Sequence, residues 1–250
     1  MGQYMIKLPL WDHQVKAVEK LFPLNAGALL MDMGTGKTLA SIELLNRWNI
    51  NKVLIVCPKA VGQIWPREFA KHSEGWNLVL LNNGSVVNKS KQLNWNEKKK
   101  AIIINYESAW RNPVAAWLLN NPPDCIIADE SHKIKSPGGK ASRYMSKLGR
   151  LTKKRLLLTG TIMSHGPLDV YAQMRFANPA IFGYSFVRFR SRYAQMGGFQ
   201  QHEVVGWQNL EELHEKLYSV SYRVRADEVL SLPETMDETL TFELSPKARK

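Results

Sequence analysis

Residues Met31–Thr38 read Met-Asp-Met-Gly-Thr-Gly-Lys-Thr, directly after an apolar run and directly before a helical stripe of Leu39, Ile42, Leu45 and Trp48. Few short segments constrain a fold so tightly. Gly34 and Gly36, flanking Thr35, allow backbone N–H groups to turn toward phosphate oxygens, and the helix that follows presents its positive end. Lys37 supplies a compact cation for the phosphates, and Thr38 offers a hydroxyl to a magnesium ion. A strand before and a helix after are what a phosphate loop requires, so a nucleotide-binding α/β domain is expected.

The rest of the chain has the matching rhythm. Short runs rich in Val, Ile and Leu occur at Ala28–Met31, Val53–Cys57, Leu78–Leu81, Ala101–Asn105, Cys125–Asp129 and Arg155–Thr159. Four to six such residues in a row suit strands buried on both faces. Helix signals lie between them. Asp12 is a candidate cap for Val15, Val18 and Phe22, Asn112-Pro113 leads into Val114–Leu119, and Leu168, Tyr171 and Met174 precede a stop at Asn178-Pro179. Alternation of this kind predicts a doubly wound, mostly parallel sheet flanked by helices. After Pro179 the pattern changes: Arg188, Arg190 and Arg192 interleave with Phe186, Phe189 and Tyr193, followed by Asn209 ahead of Leu210, Leu213 and Leu217. Those arginines either grip a phosphate backbone or lie across a packed aromatic core. An alternating segment, Thr239–Leu244, stands near the end.

Hydrolysis of a bound nucleotide needs one carboxylate for the metal and another to orient water. Asp-Glu occurs at 129–130, 227–228 and 237–238, but only Asp129-Glu130 closes an apolar strand run, which sets it beside the phosphates at the carboxyl edge of the sheet. Asp129 is therefore assigned to Mg²⁺, through water, and Glu130 to water positioning or general base, with Lys37 as the third catalytic candidate. His132 follows and is expected to bridge this site to Thr159, Gly160 and Thr161.

Charge adds a partner class. Lys and Arg number 34 against 22 Asp and Glu, a formal +12. The bases cluster: Lys133–Arg155 holds nine without an acid, and Asn82–Lys100 holds five lysines with one acid, whereas residues 226–250 carry six acids and three bases. A field of that sign suits a polyanion, with nucleic acid first. Apolar runs are too short to span a membrane, and the first ten residues lack a secretory pattern. Cys57 and Cys125 sit singly inside apolar runs, so buried thiols in a reducing compartment are expected rather than a disulfide or zinc site.

In chain order, these segments resemble the first RecA-like lobe of a Swi/Snf-related DNA translocase of the second helicase superfamily. Leu10–Gln14 resembles the glutamine motif, with Gln14 at the adenine-reading position. Met31–Thr38 is similar to the family's phosphate loop, which tolerates a first residue other than glycine. Val53–Lys59, then Trp65 and Arg67-Glu68-Phe69, is similar to the next motif, although Pro66 is unusual there and is expected to delay the helix start. Asn105-Tyr106-Glu107 follows, then Asp129-Glu130-Ser131-His132 with Lys133-Ile134-Lys135-Ser136, and Leu157–Thr161 resembles the coupling motif. Ile162, Met163 and His165 depart from the family's usual continuation.

The Ser131 form is similar to compact bacterial and phage members and to the annealing-helicase branch, which implies bacterial or phage-infected cytoplasm, or the nucleus in a eukaryote. The resemblance implies ATP and Mg²⁺ as cofactors and double-stranded DNA as partner, with backbone contacts from Lys59 and Asn105; Lys133 and Lys135, in the basic run, are further candidates. It implies a lobe over residues 1–235 with a helical extension at 180–225, and a linker with the start of a second lobe at 236–250. That second lobe would be the other partner and would bring the arginine fingers. The alternatives are a strand-separating helicase on DNA or RNA, or a monomeric nucleotide- and DNA-binding module with negligible turnover by itself. A small-molecule kinase would leave both basic runs unexplained.

Overall fold

A computed structural model describes residues 8–199 and 203–230; the Thr239–Leu244 segment and residues 236–250 lie outside them. The strands are β1 (Ala26–Met31), β2 (Lys52–Cys57), β3 (Asn77–Leu81), β4 (Lys100–Asn105), β5 (Cys125–Asp129), β6 (Lys154–Leu158), β7 (Ala194–Gly197), β8 (Glu203–Trp207) and β9 (Ser221–Val224). The helices are α1 (Asp12–Leu21), α2 (Lys37–Arg47), α3 (Ile64–His72), α4 (Val86–Ser90), α5 (Tyr106–Ala109), α6 (Val114–Asn120), α7 (Lys140–Gly149), α8 (Asp169–Ala177), α9 (Pro179–Phe182), α10 (Phe186–Tyr193), α11 (Leu210–Ser219) and α12 (Ala226–Val229).

Seven strands form one sheet in the order β3-β4-β2-β5-β6-β1-β9, with every pairing parallel. All six expected strands are present to within two residues at either end. Their central residues are buried because helices cover both faces. Val53, Ile55, Ile103, Ile127, Leu156 and Leu158 pack with α1, α2 and α3 on one side. Leu54, Ile102, Ile104, Ile126 and Leu157 pack with α6, α7, α8, α10 and α11 on the other. Burial on both faces explains why these strands carry apolar runs rather than alternation.

Local details differ from the sequence expectations. Helix α1 begins at Asp12 but is capped from within: the Gln14 side-chain oxygen accepts the Trp11 N–H at 3.0 Å. Its buried face is His13, Gln14, Ala17, Val18 and Leu21, not Val15 and Phe22. Pro66 does not delay α3, which starts at Ile64; a proline in the first helical turn forfeits only an N–H with no intrahelical acceptor. Pro113 stands at the N-cap position of α6, whose first residue is Val114.

The 180–225 stretch is not purely helical. It carries α9, α10 and α11, an antiparallel β7–β8 hairpin, and β9, which pairs with β1 through Ala28–Met31 against Ser221–Val224. Within α10, Phe189 and Tyr193 are buried, their rings tilted against each other with centroids 4.8 Å apart, and the Tyr171 and Phe182 rings lie 5.2 Å from Phe189. Arg192 bonds Glu212. Of the two readings of this segment, arginines lying over an aromatic core match the geometry.

Candidate nucleotide and nucleic-acid site

All seven parallel strands deliver their carboxyl ends to one edge, and the candidate residues lie in the loops there. From β1 the chain enters the loop Asp32–Gly36, where Gly34 and Gly36 take φ of +80° and +84°. These are left-handed values that a side chain resists. A Cβ at Gly36 would also overlap the Gln14 amide nitrogen. The loop is pinned from α1: the Thr35 carbonyl accepts from Gln14 Nε2 at 3.2 Å and lies 2.8 Å from His13 Nε2. Thr35 is fully buried, and its hydroxyl donates to the Asp32 carbonyl at 2.7 Å. Gln14 therefore uses both ends of its amide, one to cap α1 and one to hold the loop.

Lys37, the first residue of α2, donates to the Met31 carbonyl at 2.7 Å and the Asp32 carbonyl at 3.1 Å. Burial pulls its pKa below the lysine range, while the carboxylates of Glu130, Asp129 and Asp32 act against that shift. Thr38 follows as the second residue of α2, half-buried.

Strand β6 lies between β1 and β5, so Thr159–Thr161, which leave β6, stand between the phosphate loop and the acidic pair. Thr159 is fully buried, its backbone N–H bonds the Leu29 carbonyl at 3.1 Å, and its hydroxyl accepts the Thr161 N–H at 3.1 Å. Gly160 packs on the loop base; a Cβ there would stand 3.5 Å from the Met31 carbonyl oxygen.

Asp129 ends β5, buried. Its two oxygens accept the Trp65 indole N–H and the Glu130 backbone N–H, both at 3.0 Å. Burial dominates and raises its pKa to about 6, with the Trp65 hydrogen bond opposing and the Glu130 charge assisting. Glu130 adopts φ +50° and ψ +54°, a left-handed conformation that costs a non-glycine residue of order 1 kcal/mol. That twist turns the chain sharply out of the strand into the 3₁₀ turn Ser131–Ile134.

His132 Nδ1 lies 3.3 Å from the Glu130 carboxylate, a charge pair when the ring is protonated, and makes no hydrogen bond. The expected bridge from His132 to Thr159–Thr161 is replaced by another route. Ser131 donates to Gln173 Oε1 at 2.7 Å, and Gln173 Nε2 donates to the Ile162 carbonyl at 2.8 Å and the Asp169 carbonyl at 2.9 Å. Gln173 carried no sequence signal, being one polar residue on a helix otherwise read by its apolar stripe. Trp65 was legible as part of a motif but not as the partner of Asp129.

The candidate DNA contacts divide. Lys59, after β2, and Lys133 are exposed at the carboxyl edge. Lys135 is half-buried and bonded to Ser164, His165 and Asp169. Asn105 is buried: its side-chain oxygen accepts from Lys89 at 2.8 Å and its side-chain nitrogen donates to the Glu107 carboxylate at 2.7 Å. The Asn82–Lys100 run is mostly not a charged surface. Lys89 also bonds Ser108, Lys100 is paired with Glu97 at 2.6 Å, and Lys99 lies over the Trp76 ring. All three are under 6% exposed. At the far end of the second run, Lys154 reaches the Leu24 carbonyl and Arg155 the carbonyls of Gly149, Thr152 and Ala177, at the amino edge of the sheet. These four lysines and Arg155 meet carbonyls, side-chain oxygens, a carboxylate or an aromatic ring of the chain itself.

Thr38 and Asp129 are the oxygen donors a divalent cation could use here. No cluster of three or more His, Cys, Asp or Glu side chains suited to a metal exists among the described residues. The donor set thus fits a cation that arrives with phosphate oxygens and keeps water ligands, which is the coordination Mg²⁺ favours. Cys57 and Cys125 are free, and burial raises both thiols, Cys57 to about 12. No helix among the described residues is long and apolar enough to cross a membrane.

Comparison with known proteins agrees with this geometry. A family model described as the SNF2-related domain matches residues 13–250. The chain is 30% identical over 241 residues to the ISWI chromatin-remodeling complex ATPase ISW2 of Saccharomyces cerevisiae, covering 89% of this chain and 20% of that protein. It is 30% identical over 185 residues to the DNA excision repair protein ERCC-6-like of Danio rerio, 67% of this chain and 12% of that one. The Sulfolobus solfataricus SWI2/SNF2 ATPase core in complex with dsDNA superposes with a TM-score of 0.72 at 25% identity, over 90% of this chain and 46% of that chain. The chain thus spans a fifth or less of these curated relatives and under half of that solved chain. A seven-stranded parallel sheet, a glycine-bearing loop after β1, an acidic pair at the end of β5 and the family match agree: the chain is a RecA-like lobe and belongs to the SNF2-related family.

Proposed function

We propose that this chain is the ATP-binding lobe of an ATP-driven translocase on double-stranded DNA. The observation that carries the reading is the insertion of β6 between β1 and β5, which sets Thr159–Thr161 against both the phosphate loop and the acidic pair. A change in the occupant of the loop is then felt by backbone that also touches the segment packed on α8. Exposed Lys59 and Lys133 on the same edge supply salt-sensitive phosphate contacts. The solved neighbour was determined in complex with dsDNA, which favours duplex DNA over a single strand.

In this reading Gly34, Thr35 and Gly36 wrap the β- and γ-phosphates with backbone N–H groups. The Lys37 ammonium leaves the Met31 and Asp32 carbonyls and moves onto the phosphates. Gln14 holds Thr35 and stands at the adenine end. Thr38 and Asp129 would hold Mg²⁺, which neutralises phosphate charge when bound. Glu130 orients the attacking water and takes its proton, with the His132 ring 3.3 Å from its carboxylate. Hydrolysis needs positive charge on the far side of the γ-phosphate. We assign that role to a second lobe, with 236–250 as the connection and residues 1–235 as the first lobe. By itself the 250-residue chain binds nucleotide and turns over negligibly.

The test is ATP hydrolysis by a longer chain carrying a second lobe, at low salt, with duplex DNA, single-stranded DNA and RNA compared. Stimulation by the duplex that disappears in Lys37→Ala and Glu130→Gln supports the reading. Equal rates with and without duplex DNA, or stimulation by RNA alone, overturn it.

A further inference from the structure

The basic run Lys133–Arg155 does not form one surface. Its middle part lies on α7 and its C-cap residue Arg150, where Arg143, Lys147 and Arg150 follow at spacings of four and three and share one helical face. That face meets α8 and the turn between α9 and α10 around an open cavity of about 240 Å³ lined by Arg143, Ser146, Lys147, Arg150, Arg175 and Tyr184. It belongs to the sheet face covered by α7 and α8, whereas the phosphate-binding helix α2 covers the other.

Four cations converge here, and no acid lines the cavity. Among the described residues, none of the four is paired with a carboxylate. Arg175 is half-buried; it donates to the Pro137 carbonyl at 2.8 Å and the Ser142 hydroxyl at 3.1 Å, and its Nε is buried without a hydrogen-bond partner. Arg150 lies over the Tyr184 ring at 5.6 Å, and that ring is 68% exposed. The adjacent cavity is the contrast: Arg188, Arg192 and Lys216 line it, but Glu212 lies among them and takes Arg192, Tyr193 and Lys216. In one cluster an acid of the chain pairs two of the three cations, and in the other no acid is present. Like charges held around one cavity repel each other, so an anion placed among them is bound against little competition.

We infer that the α7–α8 cavity is a second phosphate site for a nucleic-acid backbone, separate from the carboxyl-edge loops. Its chemistry suits a phosphodiester: arginine forks for the oxygens, a lysine as point charge, and an exposed tyrosine ring beside them for a sugar or base. The inference rests on the nucleic-acid part of the proposed function and adds the location of a further contact.

The test is equilibrium binding of a labelled DNA duplex to the 250-residue chain between 50 and 200 mM salt. The variant is Lys147→Glu/Arg150→Glu, both exposed, with Lys147→Arg as the charge-keeping control. ATP binding and the melting curve report on folding. The expected result is a loss of about tenfold or more in affinity, and a log–log salt slope shallower by about one to two, with ATP binding unchanged and Lys147→Arg close to the parent. An unchanged affinity and slope in the charge-reversed variant overturn the inference, because the cluster is then solvated surface. Competition by millimolar inorganic phosphate with no effect of the variant on duplex binding also overturns it, as a small-anion site only. If the parent chain binds no duplex at any salt, the nucleic-acid part of the proposed function fails as well, an outcome distinct from the other two.

Discussion

The Ser131 hydroxyl donates to the Gln173 side-chain oxygen at 2.7 Å, while the nitrogen of the same amide donates to the Ile162 carbonyl at 2.8 Å. Both side chains are fully buried. One glutamine on α8 therefore ties the residue after the acidic pair to the residue after Thr161. Gln173→Leu leaves a buried hydroxyl and a buried carbonyl unpartnered, and is expected to destabilise the chain by about 1–3 kcal/mol in denaturant unfolding. Adding Ser131→Ala removes one orphan, so the double variant should lose less than the sum of the singles. Strict additivity in that cycle would show that the two side chains do not interact.

Asp129 carries a pH signature. Its pKa in the folded chain is raised to about 6 from a model-peptide value near 4. The folded state holds that proton more tightly than the unfolded one, so the contribution to stability is full below about pH 4 and is lost as pH rises through 6. Asp129→Asn has no such titration. The unfolding free energy of the parent is expected to fall relative to Asp129→Asn by roughly 1–3 kcal/mol between pH 4.5 and 7.5. Parallel pH profiles for the two proteins would contradict the buried, unpaired ionisation.

Glu130 stores backbone strain at φ +50°. Glu130→Gly is expected to gain about 1 kcal/mol from relief of the left-handed conformation, less the entropy glycine loses. Glu130→Gln keeps the strain and gains nothing. Both should bind nucleotide, and both should abolish hydrolysis in a longer chain carrying a second lobe. A Glu130→Gly variant less stable than Glu130→Gln would mean the conformation is not strained.

Lys89 separates structural from nucleic-acid-binding charge. Burial lowers its pKa, and it holds Asn105 and Ser108. Lys89→Ala should cost about 1–3 kcal/mol of stability through the groups left unpaired, yet leave the salt slope of duplex binding unchanged. Lys59→Ala and Lys133→Ala should do the reverse, each reducing the slope by about one with little change in melting temperature. Thermal melting and binding isotherms on the same four proteins decide between the assignments.

The glycine loop before Lys37, the Asp129-Glu130 pair and six of the seven strands of the large sheet are legible in the order of the amino acids alone. Each of these is written locally: Gly34 and Gly36 next to Lys37, or a run such as Val53–Cys57 that can only be buried on both faces. Strand β9 was not legible, because Ser221–Val224 is four residues with only two apolar side chains and owes its conformation to pairing with β1, almost 200 residues earlier. The same holds for the charges. In the sequence, Lys89, Lys100, Lys147 and Arg155 look alike. Lys89 meets Asn105, Arg155 meets the Ala177 carbonyl, and Lys147 lines one open, acid-free cavity with Arg175 because of how distant segments pack. A backbone conformation follows from neighbours in the chain, but the partner of a long side chain is set by whatever the fold brings within a few ångströms of its tip.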